Sequence, residues 1–269
     1  MHRSGKGLRG RCLPLLRSGG VRQADPTLRA DAPPAGSPTL VCTLGGGGVR
    51  VTLGILTIGQ SPREDVVPSL QEVLGGVLIV EAGALDGCTE EEIAALAPRA
   101  GESTLVTRLR DGRSVVLARD KVVPYVQRAL QRLEGGADFI LFLCTGEFPP
   151  LRSRRLVIEP AHLLQHIVSG LAAGRALGVL VPLPEQIAEA QQRWKRVSDQ
   201  VIVEAVSPYG GGDFSFAGEA LRAAGAEVVV MDCMGYRAEH KRSVISASGL
   251  PTILAGTAVA RVVRELLPI

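Results

Sequence analysis

"GADFILFLCTGEF", Gly136 to Phe148, and "GAEVVVMDCMGYR", Gly225 to Arg237, say nearly the same thing twice. Each begins Gly-Ala-acidic, passes through an apolar run, and reaches Cys, one residue, then Gly. The thiols of Cys144 and Cys233 fall on the same beat. A short run that is apolar at every position and bounded by turn residues reads as a strand buried on both faces, as in a parallel sheet covered by helices. Its repetition points to an internal duplication with one strand-end cysteine per copy.

Outward from these segments, strand, turn and helix alternate. "VTLGILTI" is a buried strand ended by Gly59. In "SPREDVVPSLQEVL", Ser61 is the expected N-cap, Pro62 the first helical residue and Glu64 the partner that closes a capping box. A strand ("GVLIVEAG") and a short helix after Thr89 come next. "STLVTRLRDGRSVVLARD" predicts a hairpin turned at Asp111-Gly112, and "PYVQRALQRL" predicts a helix leading into the first Cys strand. After that strand, "RLVIEPAHLLQHIVSGL" reads as a strand and a helix joined at Glu159-Pro160. The scheme then restarts. "LGVLVPLPEQIAEAQQRW" echoes the first strand and helix, "VIVEAVSPYGGGDFSFAGEALRAA" supplies a strand, a Gly-rich loop and a helix, and "PTILAGTAVARVVREL" closes the second copy.

The predicted fold class is therefore α/β, with two similar three-layer α/β/α lobes of mainly parallel sheet, related by an approximate two-fold duplication and facing one another. The first lobe is expected over residues 51–158, joined by 251–269, and the second over 159–250. Residues 1–50 hold eight Lys/Arg against two Asp, ten Gly and five Pro, and predict a disordered basic tail. Two alternatives for the tail stay open, a transit peptide and a later start of translation near Val49 or Val51. An intact mass of the native protein separates them.

Without that tail the body carries 22 basic and 25 acidic side chains, and aromatics are 3% of the chain. Neither gives a footprint for nucleic acid. No apolar run approaches the roughly 20 residues that span a bilayer. The five cysteines, at 12, 42, 88, 144 and 233, show no metal-ligand spacing, and they fit free thiols in a reducing cytoplasm. Cys12, Cys42 and Cys88 have no counterpart in the repeat and receive no role. The assembly state stays open, a homodimer included.

Ligands of open α/β sheets bind outside the carboxyl ends of the strands, where Cys144 and Cys233 both stand. A thiol near a helix N-terminus has its thiolate favoured, which predicts a lowered pKa and a usable base. One thiolate can then remove a proton from a carbon acid while the other thiol returns one to the opposite face. That is two-base racemisation, and it needs no metal or cofactor. The plainer alternative is two small buried hydrophobes at strand ends.

The Cys segments, with "LTIGQSPRED", "LVIEP" and "VMDCMGY", resemble the AroM family from about Val51 to the end. More distantly, the duplicated architecture and paired cysteines resemble the aspartate/glutamate racemase superfamily, which includes hydantoin racemases, maleate isomerase and arylmalonate decarboxylase. The resemblance implies cofactor-independent chemistry beside a carboxylate on a small molecule, using Cys144 and Cys233. It leaves open a racemase or epimerase, a decarboxylase or cis-trans isomerase, and a non-catalytic ligand-binding or regulatory protein. Three departures stand out. Thr145-Gly146 follow the first Cys where racemases commonly have Asn-Thr or a similar pair, Met234-Gly235-Tyr236 follow the second where they often have Thr-His, and the first loop is Gly59-Gln60-Ser61-Pro62-Arg63 in place of a Ser/Gly-rich turn.

Around the thiols, Thr57, Gln60, Ser61 and Arg63 are candidates to hold a substrate carboxylate, with capping and solvation as the ordinary alternatives. Thr145 and Gly146 could offer hydroxyl and N–H donors to an enolate-like oxygen, and Gly235 stands at the matching position of the second copy. Asp232 and Glu147 flank the thiols, and either could point away. A carboxylate close by would keep Cys233 protonated. "SPYGGGD", Ser207 to Asp213, is a candidate lid or phosphate cradle. His162 and His166, four apart on a helix, read better as surface or core residues than as metal ligands. His240 is a candidate orienting group. Trp194 and Arg152, Arg154 and Arg155 read as packing and a solvated loop.

Overall fold

The computed structural model describes residues 39–41 and 51–268; the expectations for the rest of the N-terminal tail, with Cys12 and Cys42, lie outside the described residues. The first sheet contains β1 (Thr39–Val41), β2 (Thr52–Thr57) and β3 (Leu78–Gly83), and two later strands, β6 (Phe139–Phe142) and β7 (Leu156–Ile158). Between them, β4 (Thr104–Arg108) and β5 (Ser114–Ala118) form a separate antiparallel hairpin. The second sheet contains β8 (Leu177–Val181), β9 (Val201–Ala205), β10 (Val228–Met231) and β11 (Thr252–Leu254).

Strand order shows the duplication. The first sheet runs β1-β3-β2-β6-β7 and the second β11-β10-β8-β9. Within these two sheets, among the described residues, only β1 is antiparallel to its neighbour. Setting β2, β3, β6 and β7 against β8, β9, β10 and β11 gives the same order in each lobe. The order reverses between β2 and β6, and again between β8 and β10. Such a switch point leaves a crevice at the carboxyl ends of the strands. Both cysteines follow the strand on one side of it.

The helices are α1 (Val67–Leu74), α2 (Glu90–Ala95), α3 (Arg119–Leu133), α4 (Pro160–Leu171), α5 (Ile187–Trp194), α6 (Phe214–Ala223), α7 (Ala238–Ser248) and α8 (Ala255–Arg264). The central strands β2, β6, β8 and β10 are buried almost throughout, so residues of both parities need apolar cover. The inner faces, through Leu53, Ile55, Leu141, Val179 and Val230, meet one continuous core with Leu70 of α1, Leu164 of α4 and Val259 of α8. The two lobes therefore share their middle layer of helices. Outside it, α2, α3 and the hairpin cover the first sheet, while α6 and α7 cover the second. The C-terminal segment divides: β11 pairs with β10, while α8 packs on α1 and α4.

The hairpin turns at Asp111-Gly112, with Gly112 in the left-handed region (φ 88°), as its sequence predicts. Thr89 caps α2 in a reciprocal box with Glu92. The box predicted at Ser61 does not form. The first helix begins at Val67 with Pro68 in its opening turn, and its N-cap Val66 contributes no side-chain bond. Ser61 turns instead to Asp86, whose carboxylate accepts its backbone N–H at 2.8 Å and its hydroxyl at 2.7 Å. A charged acceptor at that range outcompetes a local cap.

Candidate active site

Cys144 and Cys233 each stand two residues past their strands, at equivalent ends of β6 and β10. Their turns match. The backbone N–H of Gly146 points at the Cys144 Sγ (3.4 Å), and that of Gly235 points at the Cys233 Sγ (3.3 Å). Both sulfur-bearing residues line one cavity between the sheets, of about 60 Å³. At about 10–15 Å³ per water by this measure, it holds a ligand of a handful of heavy atoms. Arg63, Tyr209 and Arg193 share the lining, and residues 103–107 of the hairpin region form another wall. That hairpin has no counterpart in the second lobe, so the crevice is closed asymmetrically.

The thiols are not acidified as predicted. Burial pushes Cys144 up to about 11 and Cys233 up to about 12, and the single turn N–H at each sulfur only partly offsets this. Arg193 favours the Cys144 thiolate, Asp232 opposes it, and the Cys144 sulfur further raises Cys233. The physical reason is position. Cys144 is followed by a loop and β7 before any helix, and α7 begins only at Ala238 after Cys233. A helix dipole fades within a turn of its end.

Arg63 is 4% exposed and anchored on every side, not solvated. Its Nε and Nη2 donate to the two carboxylate oxygens of Asp65 at 2.8 and 2.9 Å. Its Nη1 donates to the Thr57 hydroxyl at 2.8 Å, its Nη2 to Tyr209 Oη at 3.2 Å, and its backbone N–H to buried Glu81 at 2.8 Å. Burial opposes its charge, but Asp65 and Tyr209 outweigh that and hold the guanidinium above its usual range. Burial likewise pushes the Glu81 carboxyl up.

On the other side, Arg193 Nη2 pairs with Asp232, which also accepts from Trp194 Nε1 at 2.7 Å. Arg193 Nη1 reaches the Thr145 carbonyl at 3.1 Å, and the Thr145 hydroxyl donates to the Asp232 carbonyl at 3.0 Å. One polar cluster therefore ties together the two thiol-bearing turns.

Of the residues predicted from sequence, Cys144, Cys233, Arg63, Thr145, Gly146 and Gly235 meet at the cavity. Thr57 lies behind Arg63. Gln60 and Ser61 do not line the cavity: Gln60 Oε1 accepts from the Arg110 N–H at 2.9 Å, and Ser61 holds Asp86. The hydroxyl proton of Thr145 is already engaged by Asp232, which removes it as a donor to substrate. Glu147 turns to Arg196 (2.5 Å) and Gln165. His240 stacks on Phe214, 4.1 Å between centroids, and accepts the Arg237 N–H. His162 and His166 line a groove between α4 and α8, and among the described residues no cluster of three or more His, Cys, Asp or Glu could hold a metal. Trp194 is buried, as expected of packing, but also carries a hydrogen bond to Asp232.

Sequence reasoning missed Arg193 and Tyr209. Arg193 had a usable signal: it follows Ala190 by three on the buried stripe of α5, where a charge needs a partner. Tyr209 had a weaker one, an aromatic residue set within a Gly-rich loop.

Two pseudo-symmetric, mainly parallel sheets with a cysteine at each matching strand end define an α/β protein of racemase-like fold. The AroM protein family model matches residues 53–267, and the chain belongs to that family. No curated protein sequence matches it. Its fold is shared with glutamate racemase from Francisella tularensis subsp. tularensis SCHU S4, solved in complex with D-glutamate (TM-score 0.52, 14% identity, covering 81% of each chain). Glutamate racemase from Aquifex pyrophilus is similar to the same degree (TM-score 0.52, 14% identity, 81% of this chain and 84% of that one). Picrophilus torridus aspartate racemase matches at a TM-score of 0.48 and 10% identity, over 80% of this chain and 94% of its own. Among the described residues no helix is long and apolar enough to cross a membrane.

Proposed function

We propose that the protein is a cofactor-independent isomerase of the racemase or epimerase type, acting on a small carboxylate-bearing carbon acid. Cys144 and Cys233 serve as base and acid. The observation that carries this reading is that both cysteines, each with a turn N–H at its sulfur, line a single small cavity from the ends of matching strands of the two lobes. One thiolate takes the α-proton, the electron pair delocalises into the adjacent carboxylate, and the other thiol protonates the carbon from the opposite face. Enantiomers of small amino and hydroxy acids incubated in deuterated water should exchange their α-hydrogen. Absence of exchange across such a panel defeats the reading.

The raised thiols set the pH dependence. The active form of the pair carries one proton, and with Cys144 near 11 it is scarce at neutral pH. kcat/KM is therefore expected to rise with pH, by about tenfold per unit between pH 7 and 9. A plateau already present at pH 7 contradicts this.

A second reading draws on the same raised thiols. A protonated thiol suits a decarboxylase, in which carbon dioxide leaves and the thiol protonates the remaining carbanion. That reaction would run flat over pH 7–9 and release carbon dioxide without racemising its substrate.

A further inference from the structure

The charged and hydroxyl groups around the cavity are mostly committed to protein partners. Arg193 is paired with Asp232, and Arg119 with Glu189 at 3.2 Å. Arg63 uses four of its five N–H donors on Asp65, Thr57 and Tyr209. The Thr145 proton is taken by Asp232. Tyr209 differs. Its Oη accepts from Arg63, and its own proton has no acceptor among the described residues.

Its placement is specific. The ring lies over the turn that bears Cys233, so close that a methyl group added at Gly235 would come within 2.5 Å of Oη. The side chain lines the cavity, and the guanidinium behind it is fixed by Asp65 and Thr57. Thr104 and Thr107 of the hairpin belong to the facing wall of the same cavity. A phenol proton left without a protein acceptor beside a cavity is satisfied by an oxygen-bearing ligand.

Building on the two-thiol reading, we propose that the Tyr209 hydroxyl donates to the substrate carboxylate oxygen on which charge builds as the α-proton leaves, with Arg63 polarising it from behind. The C–H bond breaks, its proton passes to sulfur, and the electron pair moves onto the oxygen facing Tyr209. The tyrosine keeps its own proton, because burial outweighs Arg63 and holds the phenol well above its ordinary range. A preorganised donor aimed where charge develops is the most effective kind of electrostatic stabilisation. This donor also fills the role that the sequence suggested for Thr145.

Iodoacetate and iodoacetamide provide a test that needs no known substrate. They are similar in size, and the first carries the carboxylate that Tyr209 should bind. Rates of alkylation at Cys144 and Cys233 are read by peptide mass at pH 9, separately from Cys88. The wild-type protein should favour iodoacetate relative to iodoacetamide, and Tyr209→Phe should cut that ratio about tenfold or more, in line with loss of one oxyanion donor. Tyr236→Phe is the control, because that hydroxyl donates to the Val206 carbonyl (2.8 Å) and does not line the cavity. It should behave as wild type. A ratio in Tyr209→Phe within twofold of wild type, or wild-type sulfurs that iodoacetate does not reach, overturns the proposal. The ratio is independent of turnover. Failed hydrogen exchange with a Tyr209-dependent ratio would sink the isomerase and keep the anion donor.

Discussion

Cys144→Ser and Cys233→Ser should each abolish racemisation, lowering it by about a thousandfold or more, while folding stays intact. The expectation follows from the division of labour between opposite faces. An alcohol is far weaker than a thiol as an acid or base near neutral pH, so each variant loses one face of the chemistry. The two variants should differ in kind. In Cys144→Ser the remaining Cys233 can still exchange the α-hydrogen of the enantiomer that faces it, without inversion. In Cys233→Ser the opposite enantiomer should exchange. This complementary pattern in deuterated water is the signature to look for. If both variants retain wild-type racemisation, the thiols are packing residues and the isomerase reading fails. If only one matters, the decarboxylase reading gains. The comparison is clean because Ser is nearly isosteric with Cys, and each sulfur accepts only one backbone N–H.

Those thiols were the most legible part of the chain, and the reason is local. A buried parallel strand must be apolar at consecutive positions, and a duplicated chain repeats that run with its flanking turn. "FILF" and "VVVM" therefore announced β6 and β10, and the cysteines beyond them, without knowledge of the partner strands. The hairpin at Asp111-Gly112 and the helix start after Thr89 were legible for the same reason, since every partner lies within a few residues. Legibility ended where the partner was distant. Ser61 satisfies a capping pattern, but Asp86 stands 25 residues away and takes both its N–H and its hydroxyl. The Thr145 proton goes to a carbonyl 87 residues on. The thiol pKa values were misjudged similarly. A helix terminus is visible in sequence, whereas the desolvation that outweighs it belongs to the closed cleft.

Arg193→Ala should be the most destabilising single change at this site, by about 3–5 kcal/mol, because it strands a buried carboxylate. Asp232 has a side chain 1% exposed, that of Arg193 is 9% exposed, and the two meet 39 residues apart in sequence between α5 and the second thiol turn. Without the guanidinium, Asp232 keeps only the Trp194 N–H among its side-chain partners, and the Thr145 carbonyl loses its tie to α5. Urea unfolding should show a lower midpoint with an unchanged slope, since the area exposed on unfolding hardly differs. Arg193→Met with Asp232→Asn removes both charges, and it should recover part of the loss because neither partner is left as an unpaired ion. A single variant within about 0.5 kcal/mol of wild type would show that solvent reaches the pair, contrary to its burial. The pair also bears on the chemistry. Arg193 favours the Cys144 thiolate, so its loss should raise that thiol further. In whatever fraction of the variant stays folded, kcat/KM at fixed pH should fall and its rise with pH should move to more alkaline values. A purely structural brace would lower the midpoint and leave that profile where it stood.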